Sequence, residues 1–323
     1  ELLSMSGGFS VLQKVGPSAM TLLGILIRGT TKRKRKGQKQ PIVQIQLFPK
    51  VKKYFRDSNS ENYTRHRKAS IMTNRKRVLL EGDMLLLVDP KDRRYLLTLE
   101  SNAEFHSHSG YISHEDLIGK EDGVRVKSSG GLEYLALRPT MSDVILKMPR
   151  SAQIIYPKDI GPILIAADIA EGDKVLESGV GSGALSIALL RAGANVTGIE
   201  RREDFAQRAR KNVEAFFPNQ AINGRYEVLI GDAYEQLIGS DYDRIVLDLP
   251  EPWRVIDHVE NCLRPGGIIV SYSPSIMQVS KLTDRLKRDN YAMTKTQEIL
   301  SRSWHVEGRA VRPDHRMVAH TGF

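Results

Sequence analysis

Apolar residues recur along this chain in two periods, and the change from one to the other divides it. From Val78 to Leu137, short apolar runs about ten residues apart are punctuated by Asp89-Pro-Lys-Asp92 and Gly130-Gly131. Asp83 to Val88, Tyr95 to Leu99, Gly110 to Ser113, Gly123 to Lys127 and Glu133 to Leu137 therefore read as strands of a small antiparallel barrel or sandwich. From Asp159 onward, buried strands alternate with helices. The strands are Lys174 to Glu177, Asn195 to Ile199, Tyr226 to Ile230, Arg244 to Leu247 and Ile268 to Tyr272. The helices are Asp159 to Asp168, Ala184 to Ala192, Glu203 to Phe216, Trp253 to Cys262 and Ile276 to Asp289, and Phe205, Ala209, Val213 and Phe217 mark the apolar stripe of the third. This alternation predicts an α/β fold with a parallel sheet and right-handed crossovers. Asp159 is expected to cap the first helix, with Ile163, Ile165 and Ala166 packed on the sheet. Residues 294–302 and 310–323 read as two paired strands, the second cut short at His320-Thr-Gly-Phe323.

Four segments follow: a basic extension over 1–71, a small β domain over 72–138, a linker over 139–157 and an α/β domain over 158–323. At 323 residues the chain is long enough for two cores. The net charge of +10 suggests a nucleic-acid partner. Residues 1–71, however, hold 15 Lys and Arg against 3 acids, and the remainder holds 33 against 35. The basicity thus belongs to the leading segment, expected to be disordered or to be upstream sequence ahead of a start at Met72; a basic arm tethering phosphates is the alternative. A single cysteine, Cys262, leaves no disulfide within the chain and fits a reducing compartment, the cytoplasm. The longest apolar run, Ala19 to Ile27, falls well short of the roughly 18 residues of a membrane span. His106, His108 and His114 would need a further donor to hold a metal, and none is expected.

The chemistry concentrates at Lys174-Val-Leu-Glu-Ser-Gly-Val-Gly-Ser-Gly-Ala-Leu185, a strand, a glycine turn and a helix. Such a turn presents backbone to a ligand at the carboxyl edge of a doubly wound sheet, and Gly179, Gly181 and Gly183 would let that ligand touch main chain. Ser182, Ala184 and Leu185 complete the turn. Glu200 closes the next strand, where such folds place a carboxylate for ribose hydroxyls. Asp232 closes the third, where an acid can accept from the amino group of adenine. Gly179, Gly181 and Ala184 also satisfy the dinucleotide fingerprint, so a nicotinamide-dependent oxidoreductase is a competing reading. Glu177, ahead of the first glycine, would repel a pyrophosphate and attract the ammonium and sulfonium of S-adenosylmethionine. That favours a methyltransferase.

The fourth strand delivers Asp248-Leu-Pro-Glu-Pro-Trp253 to the same edge. Enzymes that methylate exocyclic amino groups commonly carry Asn or Asp followed by Pro-Pro-aromatic, and Leu249 breaks that pattern. A lone carboxylate suits a ring nitrogen instead, because methylating N1 of adenine makes the ring cationic and Asp248 would steady the charge. Tyr156, just ahead of the first helix, could stack on a base.

With Tyr156-Pro-Lys-Asp159, the glycine turn, Asp248 to Trp253, Gln278-Val279, His320 to Phe323 and Glu104-Phe-His-Ser-His-Ser-Gly110 in view, the chain from about Arg75 onward resembles the TrmI family of tRNA (adenine-N1)-methyltransferases. The resemblance implies a Rossmann-like class I S-adenosylmethionine-dependent fold with a small N-terminal β domain. It also implies a homotetramer that methylates adenine 58 in the tRNA T-loop, and in archaeal members adenine 57. It carries the cofactor turn onto Ser182, Gly183, Ala184 and Leu185, the ribose acid onto Glu200 and the adenine contact onto Asp232. Asp248 matches the catalytic aspartate, Tyr156 an aromatic near the flipped base, and Phe205 a position where members often have a cofactor contact. A non-catalytic RNA-binding subunit is the third reading, and the intact set Glu177, Glu200, Asp232 and Asp248 weighs against it.

Overall fold

Leu85 and Leu87 alternate with partners of opposite direction along β1 (Met84–Val88), and both are fully buried, which roots that strand in the smaller core. In this computed structural model, residues 78–150, 153–217, 222, 224–289, 291–314 and 319–323 are described, all within one compact unit, Ile71–Phe323. The basic segment and the Met72 start lie outside the described residues. β2 (Arg94–Thr98) pairs antiparallel with β1. The turn between them is closed by Asp89, whose Oδ1 accepts from the N–H of Lys91 and of Arg93, each at 2.9 Å. β3 (Glu104–Ser107) and β4 (Gly110–Ser113) form a separate hairpin. β5 (Arg125–Lys127) and β6 (Glu133–Leu137) complete a four-stranded antiparallel sheet of order β2-β1-β6-β5.

Within the stretch read as a linker, Met141–Lys147 forms α1. Its start is a capping box: Thr140 Oγ1 accepts from the Asp143 N–H at 3.2 Å, and Asp143 Oδ2 accepts from the Thr140 N–H at 3.0 Å. The next helix, α2 (Pro157–Ala166), begins two residues before the expected cap. Pro157 sets the first helical φ and lacks the N–H that would be orphaned there, so Tyr156 takes the cap position with no side-chain cap. Asp159 is instead buried inside the first turn, accepting from Lys158 Nζ at 2.7 Å and Thr321 Oγ1 at 2.9 Å. The face that packs is also corrected: Ile160, Ile163 and Ala167 are buried, whereas Ile165 is 82% exposed. Helical geometry puts positions three and four apart together, and Ile165 lies across from them.

β7 (Lys174–Ser178), α3 (Ala184–Arg191), β8 (Asn195–Glu200), α4 (Glu203–Phe216), β9 (Tyr226–Ile230), β10 (Tyr242–Leu247), α5 (Ile256–Cys262) and β11 (Leu263–Ser271) build the larger core. All neighbours in this sheet are parallel, in the order β11-β10-β7-β8-β9. The order reverses between β7 and β10, and such a reversal opens a crevice at the carboxyl edge. β11 begins five residues before the expected Ile268, and Arg264-Pro-Gly-Gly267 is an irregularity inside it: Tyr242 pairs with Leu263 and Arg244 with Ile268. Pro265 has no N–H to give the ladder, so the strand bulges there.

After α6 (Ile276–Arg288), residues 294–302 form no strand. β12 (Trp304–Glu307) and β13 (Ala310–Pro313) pair instead around Gly308-Arg309, because Gly308, at φ +53°, makes the two-residue turn that sets the register. The His320-Thr-Gly-Phe323 segment runs back along the sheet edge, where Ser273 and Phe323 exchange two backbone hydrogen bonds of 2.9 and 2.7 Å. His320 faces acceptors with both ring nitrogens, Glu298 Oε1 at 2.6 Å and the Pro274 carbonyl at 3.0 Å. Both bonds together require the imidazolium, and these partners raise its pKa above the usual histidine value. Among the described residues no helix is long and apolar enough to cross a membrane.

Candidate functional site

Four strand ends supply the four acids singled out from sequence. Glu177 lies in the last turn of pleat of β7, Glu200 ends β8, Asp232 follows β9 and Asp248 follows β10. The Asp248 N–H donates to the Ser178 carbonyl at 2.8 Å, so the switch between β7 and β10 brings the glycine turn against the Asp248 segment.

Two of the glycines also serve this packing. Gly179 has φ +88°, and a Cβ there would stand 2.1 Å from the Asp248 carbonyl oxygen. A Cβ on Gly183 would press on Ala209 of α4 at 3.2–3.3 Å. The N–H groups of the three glycines are also spent internally, each at 3.0 Å: Gly179 to the Ile199 carbonyl, Gly181 to Glu200 Oε2 and Gly183 to the Val180 carbonyl. A pyrophosphate held by those amides would have to displace them.

What the turn offers is oxygen. Glu177 Oε1, Ser178 Oγ and Ser182 Oγ are buried without hydrogen-bond partners. An unmet buried polar group costs about 1–3 kcal/mol, so three at the end of β7 and in the turn after it fit a ligand that brings donors. Glu177 is held from behind, since Ser186 Oγ donates to its Oε2 at 2.6 Å and Tyr226 donates to Ser186 at 3.2 Å. Burial pushes Glu177 up to about 8, with Asp248 and Glu200 adding to the rise. Burial and the Glu200 charge push Asp248 up to about 7. Three mutually repelling carboxyls fit a cation, as an ammonium or sulfonium is, and disfavour a phosphate. Glu200 accepts from Gly181 and, through Oε1, from the Arg202 N–H at 3.0 Å, which leaves lone pairs for hydroxyl donors.

The remaining candidates differ in their surroundings. Asp232 is half-buried and accepts from the Tyr234 N–H at 2.9 Å. Phe205 is covered by the Arg202 guanidinium, 3.7 Å from its ring centre. Ala184 and Leu185 are buried at the start of α3, where they pack rather than face solvent. Tyr156 is half-buried at the start of α2, and Asp159 three residues on meets the Tyr272 hydroxyl at 3.4 Å, beyond the end of β11. The histidines of the small sheet have separate partners: Glu104 for His106 at 3.2 Å, Arg93 for His108 at 2.9 Å and the Glu100 N–H for His114 at 3.0 Å.

Comparison with known proteins adds the family. A model described as the tRNA methyltransferase complex GCD14 subunit matches residues 133–321, and one described as TrmI-like N-terminal matches residues 78–126. A Methanocaldococcus jannaschii relative named tRNA (adenine(57)-N(1)/adenine(58)-N(1))-methyltransferase TrmI is 37% identical over 264 residues, covering 74% of this chain and 92% of the relative. The chain belongs to the TrmI family. Its fold matches a solved structure described as an S-adenosylmethionine-dependent O-methyltransferase from Thermotoga maritima, with a TM-score of 0.70 and 32% identity over 76% of this chain and 92% of that one. The structure of the tRNA (m1A58) methyltransferase TrmI from Aquifex aeolicus matches with a TM-score of 0.64 and 28% identity, over 76% and 96%.

The raised carboxyls of this TrmI-family site make a pH-dependent prediction. In the folded state they hold protons that the unfolded chain has released above the ordinary carboxylate range, so their contribution to stability falls as pH rises toward 7 and 8. A cationic ligand favours their ionised forms. Affinity for S-adenosylmethionine, measured by calorimetry, is therefore expected to rise between pH of about 6 and about 7.5, by up to about tenfold per unit for each proton released. A flat or falling affinity would contradict the electrostatic account.

Proposed function

We propose that this chain transfers a methyl group from S-adenosylmethionine to N1 of adenine 58 in the T-loop of tRNA. The observation that carries the reading is Asp248, a carboxyl raised to about 7 at the switch point, in a member of a family whose relatives are named for this reaction. When bound, S-adenosylmethionine supplies an electrophilic methyl group. Glu177, Glu200 and Asp232 would hold its ammonium, ribose and adenine. N1 of adenine has a lone pair and no proton, so the chain need supply no strong base, and Asp248 stabilises the positive charge as it forms on the ring. The methyltransferase named for oxygen acceptors has a harder task, because a hydroxyl must lose its proton.

A T-loop adenine is stacked, and exposing N1 costs a few kcal/mol. Tyr156 offers a ring on which the extruded base can stack. Residues 72–138 serve as a small β domain, 139–157 as its connection and 158–323 as the catalytic domain. A homotetramer is the proposed assembly. Its support is the β12–β13 hairpin, where Trp304, Val306 and Val311 are 58%, 69% and 60% exposed and share one face, Val306 standing opposite Val311. An isolated hairpin is marginal by itself, and a second copy would cover this face. Trp304→Glu is accordingly expected to shift sedimentation velocity toward smaller species. The enzyme works where its tRNA substrate is, in the cytoplasm.

Mass-spectrometric mapping of unmodified tRNA after incubation with protein and S-adenosylmethionine tests the function. The expected product is N1-methyladenine at position 58, and the same map reads position 57. Absence of methylated adenine, or calorimetric binding of NAD in place of S-adenosylmethionine, would overturn the assignment.

A further inference from the structure

Gln278 stands in the first turn of α6, beyond the carboxyl end of β11 and beside the Asp248 segment. Two side chains of this helix reach that segment. Gln278 Nε2 donates to the Pro250 carbonyl at 2.8 Å, and Lys281 Nζ sits 4.8 Å from the ring centre of Trp253. A carbonyl can only accept, so the amide orientation is fixed, with the nitrogen on Pro250 and the oxygen on the other limb. That oxygen is buried and has no partner. The helix does not need it: Ser275 caps the first turn, its Oγ accepting from the Met277 N–H at 3.2 Å. A leucine would fill similar space without leaving an unmet acceptor, so the free oxygen points to a donor that arrives with the substrate.

The acceptor strand ends give that donor a chemical identity. Gln278 is tied to Pro250, two residues beyond Asp248, and the base methylated at N1 carries one amino group with two N–H bonds adjacent to N1. We infer that Gln278 is a specificity-determining residue of the methyl-acceptor site, its Oε1 taking one N–H of the 6-amino group while Asp248 takes the other. The inference rests on the proposed function and adds the group that selects adenine. A 6-oxo purine would set an acceptor against an acceptor, and its N1 carries a proton in place of a lone pair. Tying Nε2 to Pro250 keeps the amide from rotating to present a donor instead.

The test is a cycle between protein and base. Full-length wild-type protein and Gln278→Leu are assayed for kcat/KM on ligated tRNA carrying adenine or purine at position 58; purine keeps the N1 lone pair and lacks the amino group. Wild type should lose activity on purine, Gln278→Leu should lose activity on adenine, and the variant's further loss on purine should be smaller by about tenfold or more, the signature of a shared contact. Gln278→Glu keeps an acceptor oxygen and should retain the adenine preference that Gln278→Leu gives up. Thermal melts confirm that each variant is folded. Equal loss on purine in wild type and Gln278→Leu would overturn the inference while leaving the function standing. Absence of transfer to the adenine-bearing tRNA by wild type would overturn the function, and the inference with it.

Discussion

Asp248→Ala is expected to lower single-turnover methyl transfer to tRNA by roughly 10²–10³-fold, the range seen when one preorganised partner of a developing charge is removed. Asp248 is the carboxyl that the switch between β7 and β10 sets at the crevice, and in the proposed reaction its contact with the base gains most as the ring becomes cationic. tRNA affinity, spread over a far larger contact, should change by only a few-fold, so the loss appears in kcat. Asp248→Asn keeps an acceptor oxygen and should fall between wild type and alanine. Burial and Glu200 hold Asp248 at about 7, so wild-type rate should rise with pH through that value and lose this dependence in Asp248→Asn. Wild-type rate in Asp248→Ala would remove the assigned chemistry.

Gly179→Ala should be among the most damaging small substitutions at the described glycines. It combines a left-handed φ of +88° with a Cβ only 2.1 Å from the Asp248 carbonyl oxygen, and neither backbone can move without disturbing two parallel strands. The expected cost is on the order of 3 kcal/mol, with loss of methyl transfer because the Asp248 segment is displaced. Gly172→Ala provides the comparison. Gly172 has φ +90° and nothing within 4 Å of the added carbon, so it isolates the left-handed backbone cost of about 1–2 kcal/mol. Denaturant titrations of both variants separate conformational strain from collision. Equal destabilisation would show that the close approach to Asp248 carries no weight.

Four strands of the larger sheet were legible because each is short, largely apolar and bounded by turn residues, as Tyr226–Ile230 is by Gly224 and Gly231, whereas the nine-residue β11 runs through Pro265 and its two glycines. The positions of Glu177, Glu200, Asp232 and Asp248 followed, since each acid closes one of those runs. Other features depend on information a linear pattern does not display. The glycine spacing was visible, but the close packing of Gly179 on Asp248 and of Gly183 on Ala209 was not, because those partners are distant in sequence. Gln278 carried no periodic signal, because its importance arises from one bond to Pro250 and an oxygen left over. Two misses were readable in retrospect: Thr140-Met-Ser-Asp143 spells the capping box of α1, and Gly308-Arg309 marks the hairpin turn. The face of α2 was misread because Ile165 is apolar yet lies opposite Ile160, Ile163 and Ala167.

Asp159 and Thr321 meet across 162 positions of chain, and Tyr272 joins both. The edge that carries the crevice is therefore closed by a contact between the first helix of the parallel-sheet region and residues that follow the last hairpin. During synthesis the sheet can form earlier, but this latch waits until Thr321 has cleared the ribosome. Refolding should show the same lag, with hydrogen-exchange protection at Ser273 and Phe323 arriving after that of β7 and β8.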